Sequence, residues 1–274
     1  MPFAAESGYL RLLEPLDAPI SPLCKRLLDG TYDKPFIIEH DRQRYLHFGI
    51  TYVQSAMRID EPHALDLRYT QKMMGFLLFT RDPRRVVMLG LGGGSLAKFC
   101  YRALQETSIL AVEIDPNVIA LRRYFAIPED GDRFRVIQGD AAEFVAHVTD
   151  PICVLLVDAF NEQGMAPSIA DRRFLSHAHA SLGPAGIMVM NLVGRRADYA
   201  DMVEDVRDIF DHQVILLSVE DDYNHILFAF KQPEFEPDWR ELRWRARSIK
   251  AQCGLDFPGF VRKMELAARN AIVG

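Results

Sequence analysis

The chain has no apolar run near the ~20 residues that a membrane-crossing helix requires. Its first residues, Met1-Pro2-Phe3-Ala4-Ala5-Glu6-Ser7, lack the basic-then-apolar pattern of a secretory leader. Membrane insertion and secretion are therefore not expected. Positive charge is also short. Against 38 Asp and Glu stand 32 Lys and Arg, a formal net charge of -6, so nothing draws the whole chain to nucleic acid or an anionic membrane. A cationic small molecule meets no such obstacle. Cysteine is scarce, and Cys24, Cys100, Cys153 and Cys253 stand too far apart for a closely spaced zinc pattern or a redox pair. That spacing predicts reduced, mostly packed thiols and a cytoplasmic protein. No cluster of metal ligands, internal repeat or low-complexity segment is visible. What is present, 274 residues of which 49% are hydrophobic, is ample for a sizeable core.

Between residues 36 and 57, short apolar groups alternate with polar ones: Phe36-Ile37-Ile38, Tyr45-Leu46-His47-Phe48-Gly49-Ile50 and Tyr52-Val53. This predicts a small antiparallel sheet. Residues 66–80 carry Leu67, Met73, Met74, Phe76, Leu77 and Leu78 in a helical pattern that ends at Asp82-Pro83. From Arg85 the rhythm changes. Val86-Val87-Met88-Leu89, Ile109-Leu110-Ala111-Val112, Phe134-Arg135-Val136-Ile137, Cys153-Val154-Leu155-Leu156-Val157 and Gly186-Ile187-Met188-Val189-Met190 predict five buried parallel strands. Segments 95–104, 116–124, 141–148 and 170–182 are each long enough for a crossover helix. A doubly wound α/β sheet is the economical arrangement. Runs 214–217 and 225–230 read as two closing strands, an antiparallel pair. The helical tail from Pro237 carries Arg240, Arg243, Arg245, Arg247 and Lys250 on what reads as a solvated face. A boundary near 81–85 divides the chain into a small β-rich N-terminal domain with a linking helix, residues 1–84, and a larger domain, residues 85–274.

The strongest local signal is Leu89-Gly90-Leu91-Gly92-Gly93-Gly94-Ser95, directly after a strand and before a helix. Glycine permits positive φ and close ligand approach, and a helix N-terminus offers free amides. Four glycines in five residues exceed what a tight turn requires. In an open α/β sheet such a loop marks a nucleotide-type ligand at the switch point. The bare pattern does not choose the ligand: Ser95 stands where a dinucleotide fingerprint ends in Gly or Ala, and the Walker lysine is absent. About twenty residues on, Glu113 ends the second strand, where an acid accepts from both ribose hydroxyls. Asp140 in Gln138-Gly139-Asp140-Ala141 is placed either to receive an adenine amino group or simply to cap the next helix. Asp158 in Val157-Asp158-Ala159-Phe160-Asn161 puts a third carboxylate at the reacting end of the same cleft, unless it too is only a cap.

Together these residues resemble the spermidine synthase family of aminopropyltransferases, which shares its fold with S-adenosylmethionine-dependent methyltransferases. The resemblance spans residues 36–193 and includes Gln54 in Tyr52-Val53-Gln54-Ser55 and Tyr69 ahead of the core. It implies a Rossmann-like doubly wound sheet of the methyltransferase type with a small N-terminal β-rich domain. It also implies a decarboxylated S-adenosylmethionine or S-adenosylmethionine co-substrate, no metal, an amine acceptor and a homodimer. Residue by residue, Gly90, Gly92, Gly93 and Gly94 would cradle the nucleoside, Glu113 hold the ribose and Asp140 the adenine. Gln54 and Tyr69 would border the reacting chain, with Asp158 as the catalytic carboxylate. The chain departs from the family pattern in four ways. Gly93 replaces an acid that holds the donor's amino group, Thr70-Gln71 replaces a His-Glu or Gln-Glu pair, Asn161 replaces a second acid, and no Pro-Thr-Tyr-Pro segment follows. Two alternatives accompany aminopropyl transfer: methyl transfer from S-adenosylmethionine itself, and a catalytically silent nucleoside-binding protein.

Overall fold

The alternating segments near the N-terminus assemble as an antiparallel sheet in the computed structural model, which describes residues 2–5, 8–50, 53–80, 82–161, 164–219, 223–233 and 235–272, with side chains except at 2–5, 161, 164 and 269–272. Its strands follow chain order: β1 (Pro2–Ala5), β2 (Gly8–Arg11), β3 (Phe36–His40), β4 (Gln43–His47) and β5 (Val53–Arg58). The last three match the predicted alternation. The first two escaped it because four residues are too few to display a period. Helix α1 (Ile20–Leu28) supplies Leu23 and Leu27 to a small separate core with Leu12, Tyr32 and Phe36. Between β4 and β5 the register slips, so that Leu46 pairs with Ser55 but His47 with Val53. Gln54 is thereby the extra residue of a β-bulge, a device that re-aims side chains at a sheet edge.

The linking helix is shorter than residues 66–80 suggest. Helix α2 (Arg68–Met73) gives way to a 3₁₀ turn over Met74–Leu78. Gly75 sits at that change, and a Cβ there would lie 2.5 Å from the Phe260 ring and 2.8 Å from Phe228. Only glycine admits this packing, and glycine also weakens the α-helix.

The second sheet is built from β6 (Arg85–Leu89), α3 (Ser95–Ala103), β7 (Ser108–Glu113), α4 (Pro116–Ala120), β8 (Phe134–Gln138), α5 (Ala141–His147) and β9 (Ile152–Val157). A two-residue hairpin, β10 (Phe160–Asn161) and β11 (Gly164–Met165), precedes α6 (Arg172–Ser181), β12 (Leu182–Val193), α7 (Ala200–Ile209), β13 (Val214–Ser218) and β14 (Asn224–Phe230). The strand order is β13-β14-β12-β9-β6-β7-β8. The five predicted parallel strands pair in parallel. β14 runs antiparallel between β12 and β13, as the closing pair predicts.

Both faces of this sheet are covered, which explains its unbroken apolar runs. Val86, Met88, Val154, Leu156, Ile187 and Val189 face a core shared with α3, α4 and the C-terminal helices α8 (Trp239–Cys253) and α9 (Phe257–Ile272). Their neighbours Val87, Leu89, Leu155, Met188 and Met190 face α5, α6 and α7. The tail is not wholly a solvated face. Arg245 turns inward and donates to the carbonyls of Leu78 (2.9 Å) and Phe79 (3.4 Å), covering the end of the 3₁₀ turn. Among the described residues, no helix is long and apolar enough to cross a membrane.

Candidate active site

The strand order reverses between β6 and β9, and the loops after those strands meet there. Asp158 N donates to Leu89 O (2.9 Å), Gly90 N to Val112 O (2.8 Å) and Gly139 N to Glu113 O (3.0 Å), so the carboxyl ends of β9, β6, β7 and β8 are tied in one row. Gly90 has φ +95°, and a Cβ there would overlap the carbonyl oxygen of Asp158. The glycine is what lets the two loops touch. Gly92 and Gly94 continue the loop in the left-handed region, and Gly94 leads into α3. The cleft is thus a crevice at a topological switch point, where open α/β sheets bind ligands.

Two of the three strand-end acids are held by backbone. Glu113, only 8% exposed, accepts from Leu91 N through Oε2 and from Asp115 N through Oε1, both at 2.9 Å. Its carboxylate joins the glycine loop to the turn after β7, and each oxygen keeps further acceptor capacity. Asp140 caps α5, with Oδ1 accepting from Ala142 N (2.8 Å) and Glu143 N (2.9 Å). The capping role is met, and it uses one oxygen of the carboxylate.

Asp158 is held differently. Tyr69 of α2 donates its phenol to Oδ2 (3.2 Å), and Asn191 of β12 donates Nδ2 to Oδ1 (2.9 Å). Asn224 of β14 in turn donates Nδ2 to Asn191 Oδ1 (2.8 Å). Burial pushes the Asp158 carboxyl above the usual carboxylate range, opposed by the hydrogen bonds from Asn191 and Tyr69. A carboxylate so placed is a better proton acceptor than one in water. Neither asparagine was singled out by sequence. Asn191 carries a faint signal, since a lone amide inside the run from Ile187 to Val193 must find partners once buried.

Gln54 is half-buried on the β-bulge, and no hydrogen bond joins it to Asp158 or Tyr69. Its neighbour Ser55 reaches the glycine loop: Ser55 Oγ lies 3.5 Å from Ser95 Oγ. A Cβ at Gly93 would lie 2.5 Å from Ser55 Oγ and 3.0 Å from the Phe125 ring. The space for an acidic side chain at position 93 is therefore closed by a hydroxyl and an aromatic ring. Tyr52 and the side chain of Asn161 lie outside the described residues.

Beneath the loop, Lys98 of α3 is 1% exposed and donates Nζ to Phe125 O (2.8 Å). Burial, with Arg44 nearby, lowers its ammonium to about 7. The bond pins the segment that presses Phe125 against Gly93. Sequence gave no reason to separate this lysine from the solvated ones of an amphipathic helix. An open cavity of about 1480 Å³ lies elsewhere, lined by Asp82, Arg84, Arg102, Thr107 and Trp244 among others. It sits at the amino ends of β6 and β7 and includes none of the residues above.

A family model described as the spermine/spermidine synthase domain matches residues 66–214, more than half of the chain. A polyamine aminopropyltransferase of Chromobacterium violaceum is 34% identical over 230 residues, covering 84% of this chain and 88% of that protein. Among solved structures, a probable spermidine synthase from Corynebacterium glutamicum has a TM-score of 0.64 at 17% identity, covering 96% of this chain and 92% of that one. Human methyltransferase-like protein 13, in complex with SAH, has a TM-score of 0.61 at 23% identity, covering 69% of this chain and 93% of that one. The structural likenesses establish a fold common to aminopropyl- and methyltransferases. Identity sustained over most of both chains decides between the branches, and the chain belongs to the spermine/spermidine synthase family.

Proposed function

We propose that this chain transfers an aminopropyl group from decarboxylated S-adenosylmethionine to a small amine, with Asp158 as the catalytic base. One observation carries the reading: a carboxylate raised by burial, held by Tyr69 and Asn191, stands beside the glycine loop at the switch point. In this reading Gly90, Gly92, Gly93 and Gly94 cradle the nucleoside, Glu113 receives its ribose hydroxyls, and the free oxygen of Asp140 receives the adenine amino group. Gln54 and Tyr69 border the reacting chain. Residues 1–84 then wall the reacting end, and residues 85–274 hold the nucleoside.

An alkyl ammonium, with a reference pKa of about 10.4, is mostly protonated near neutrality and has no lone pair to offer. Asp158 attracts it by charge, takes one proton and leaves the nitrogen free to attack the carbon beside the sulfonium. The new N–C bond forms as the C–S bond breaks, and its electron pair returns to sulfur, leaving a neutral thioether. The product leaves as a secondary ammonium, and Asp158 passes its proton to water.

Methyl transfer from S-adenosylmethionine is the second reading, and the packing at Gly93 favours it. Without an acid at position 93, a donor that keeps its carboxylate escapes a repulsion of about 1 kcal/mol at ~4 Å in water, and more in a cleft. Calorimetric titration with both donors, followed by product analysis over a panel of diamines and longer polyamines, tests the choice. Tighter binding of the decarboxylated donor with an aminopropylated product is the expected outcome. Preference for the carboxylated donor with a methylated product would overturn it, and binding without product would leave a silent nucleoside-binding protein. The reading includes a homodimer formed along an edge of the N-terminal sheet, which light scattering tests. The four cysteines are free, which supports a reducing compartment such as the cytoplasm, but they are less packed than the sequence predicts: only Cys100 is buried, and Cys24 is exposed.

A further inference from the structure

The two amides behind Asp158 form a relay with a direction. A carboxylate only accepts hydrogen bonds, so the end of Asn191 that faces Asp158 Oδ1 at 2.9 Å is its NH₂. The opposite end, Oδ1, then needs a donor, and Asn224 Nδ2 supplies one at 2.8 Å. Asn191 is 2% exposed and Asn224 8%, so little water stands ready to replace either partner. The sheet fixes their meeting. Asn224 pairs in register with Val193, two residues from Asn191 on the antiparallel neighbour, so both side chains project from the same face. An asparagine amide is nearly symmetric in shape and opposite in polarity. Reversed, Asn191 would set a carbonyl oxygen against the carboxylate.

We propose that Asn224 is a positioning residue: it fixes the orientation of the Asn191 amide and so keeps Asp158 ionised and ready to take the acceptor's proton. The proposal rests on reading Asp158 as the base, and it adds a residue from outside the span matched by the family model, which ends at residue 214. Among the described residues, the groups that bear on Asp158 are the Tyr69 phenol from α2 and the Asn191 amide from β12. Asn224 acts through the second.

Substituting Asn224→Asp exchanges a donor for an acceptor of the same shape and turns the Asn191 amide around. The measurement is the titration of the Asp158 side-chain carbon by NMR in ¹³C-aspartate-labelled protein, assigned with Asp158→Asn, after thermal unfolding has shown that each variant folds. The Asp158 titration is expected to move to higher pH. In turnover assays kcat should fall about tenfold, less than the ~10²–10⁴ a general base contributes, with donor affinity within about twofold of wild type. The new charge at position 224 could act through space, so the substitution is repeated in an Asn191→Leu background, where the relay predicts no further shift. Equal shifts in both backgrounds, or an unmoved titration in Asn224→Asp, overturn the relay. Should Asn224→Asp fail to fold, Asn224→Ala removes the donor without adding charge. A smaller shift in the same direction supports the proposal, and none refutes it. Because the titration needs no turnover, it decides the relay even where aminopropyl transfer itself is not observed.

Discussion

The two halves of the cleft hold their acids by different means. After β7 and β8, Glu113 and Asp140 rest on backbone amides of residues at most 22 positions away. After β9, Asp158 rests on side chains from α2 and β12, 89 and 33 positions away. Backbone donors cannot be mutated away and are set as soon as the strand-loop-helix unit forms. Side-chain donors can be exchanged one at a time. The contrast teaches that the placement of Glu113 and Asp140 follows from the fold, whereas the surroundings of Asp158 are adjustable side chain by side chain.

The comparison breaks most visibly at Asp158. Asp158→Asn should lower kcat by about 10²–10⁴-fold, the contribution of a positioned base, while calorimetry finds donor affinity nearly unchanged. The same variant should melt at higher temperature near pH 7. Burial raises the folded carboxyl above its unfolded value, so its contribution to stability is present below the unfolded pKa and lost as pH rises through the folded one. Removing the charge removes that loss. A fall in donor affinity matching the fall in kcat would mean that the halves are not separable.

Glu113→Gln tests the other side. An amide would turn an NH₂ toward one of the two backbone donors, Leu91 N or Asp115 N, and a hydrogen bond to a charged group is worth about 1.5–3 kcal/mol. Donor binding should weaken about 10–100-fold in titration, with kcat at saturating donor changed much less. Next in size is Tyr69→Phe. Loss of a donor to Asp158 Oδ2 removes an influence that lowers its pKa, so the acidic limb of the pH–rate profile should move upward and kcat fall about tenfold or less. The smallest effect on turnover belongs to Lys98→Met, whose consequence is for stability. With its folded pKa near 7 and an unfolded value near 10.4, the unfolded chain takes up a proton that the folded chain refuses. Wild-type stability should therefore fall between about pH 10 and pH 7, and Lys98→Met should flatten that slope in urea titrations at several pH values.

Legibility in the sequence follows the same division. The parallel strands, the glycine loop and the three strand-end acids show in spacing because each is a local matter of run length and turn chemistry. The short strands β1 and β2 had no period to read. Nor does spacing disclose that Ser55, named only as a neighbour of Gln54, fills the room at Gly93. That fact depends on two sheets meeting. Lys98 looked like any polar position on an amphipathic helix until the segment ending in Phe125 closed over it. Asn191 and Asn224 belong to strands whose adjacency depends on one chain reversal, which the antiparallel pair predicted without naming its partner in the sheet.

That reversal also orders events in time. As the chain leaves the ribosome, the glycine loop, Glu113 and Asp140 are all available once β9 has emerged, and Asp158 follows at once. The amide that orients its neighbour arrives only with β14, 66 residues after the carboxylate it serves. In the reading proposed above, a nascent chain stopped short of residue 224 would carry the nucleoside-binding residues without the amide that orients Asn191. On that reading the site is completed late in synthesis, when β14 takes its place between β12 and β13.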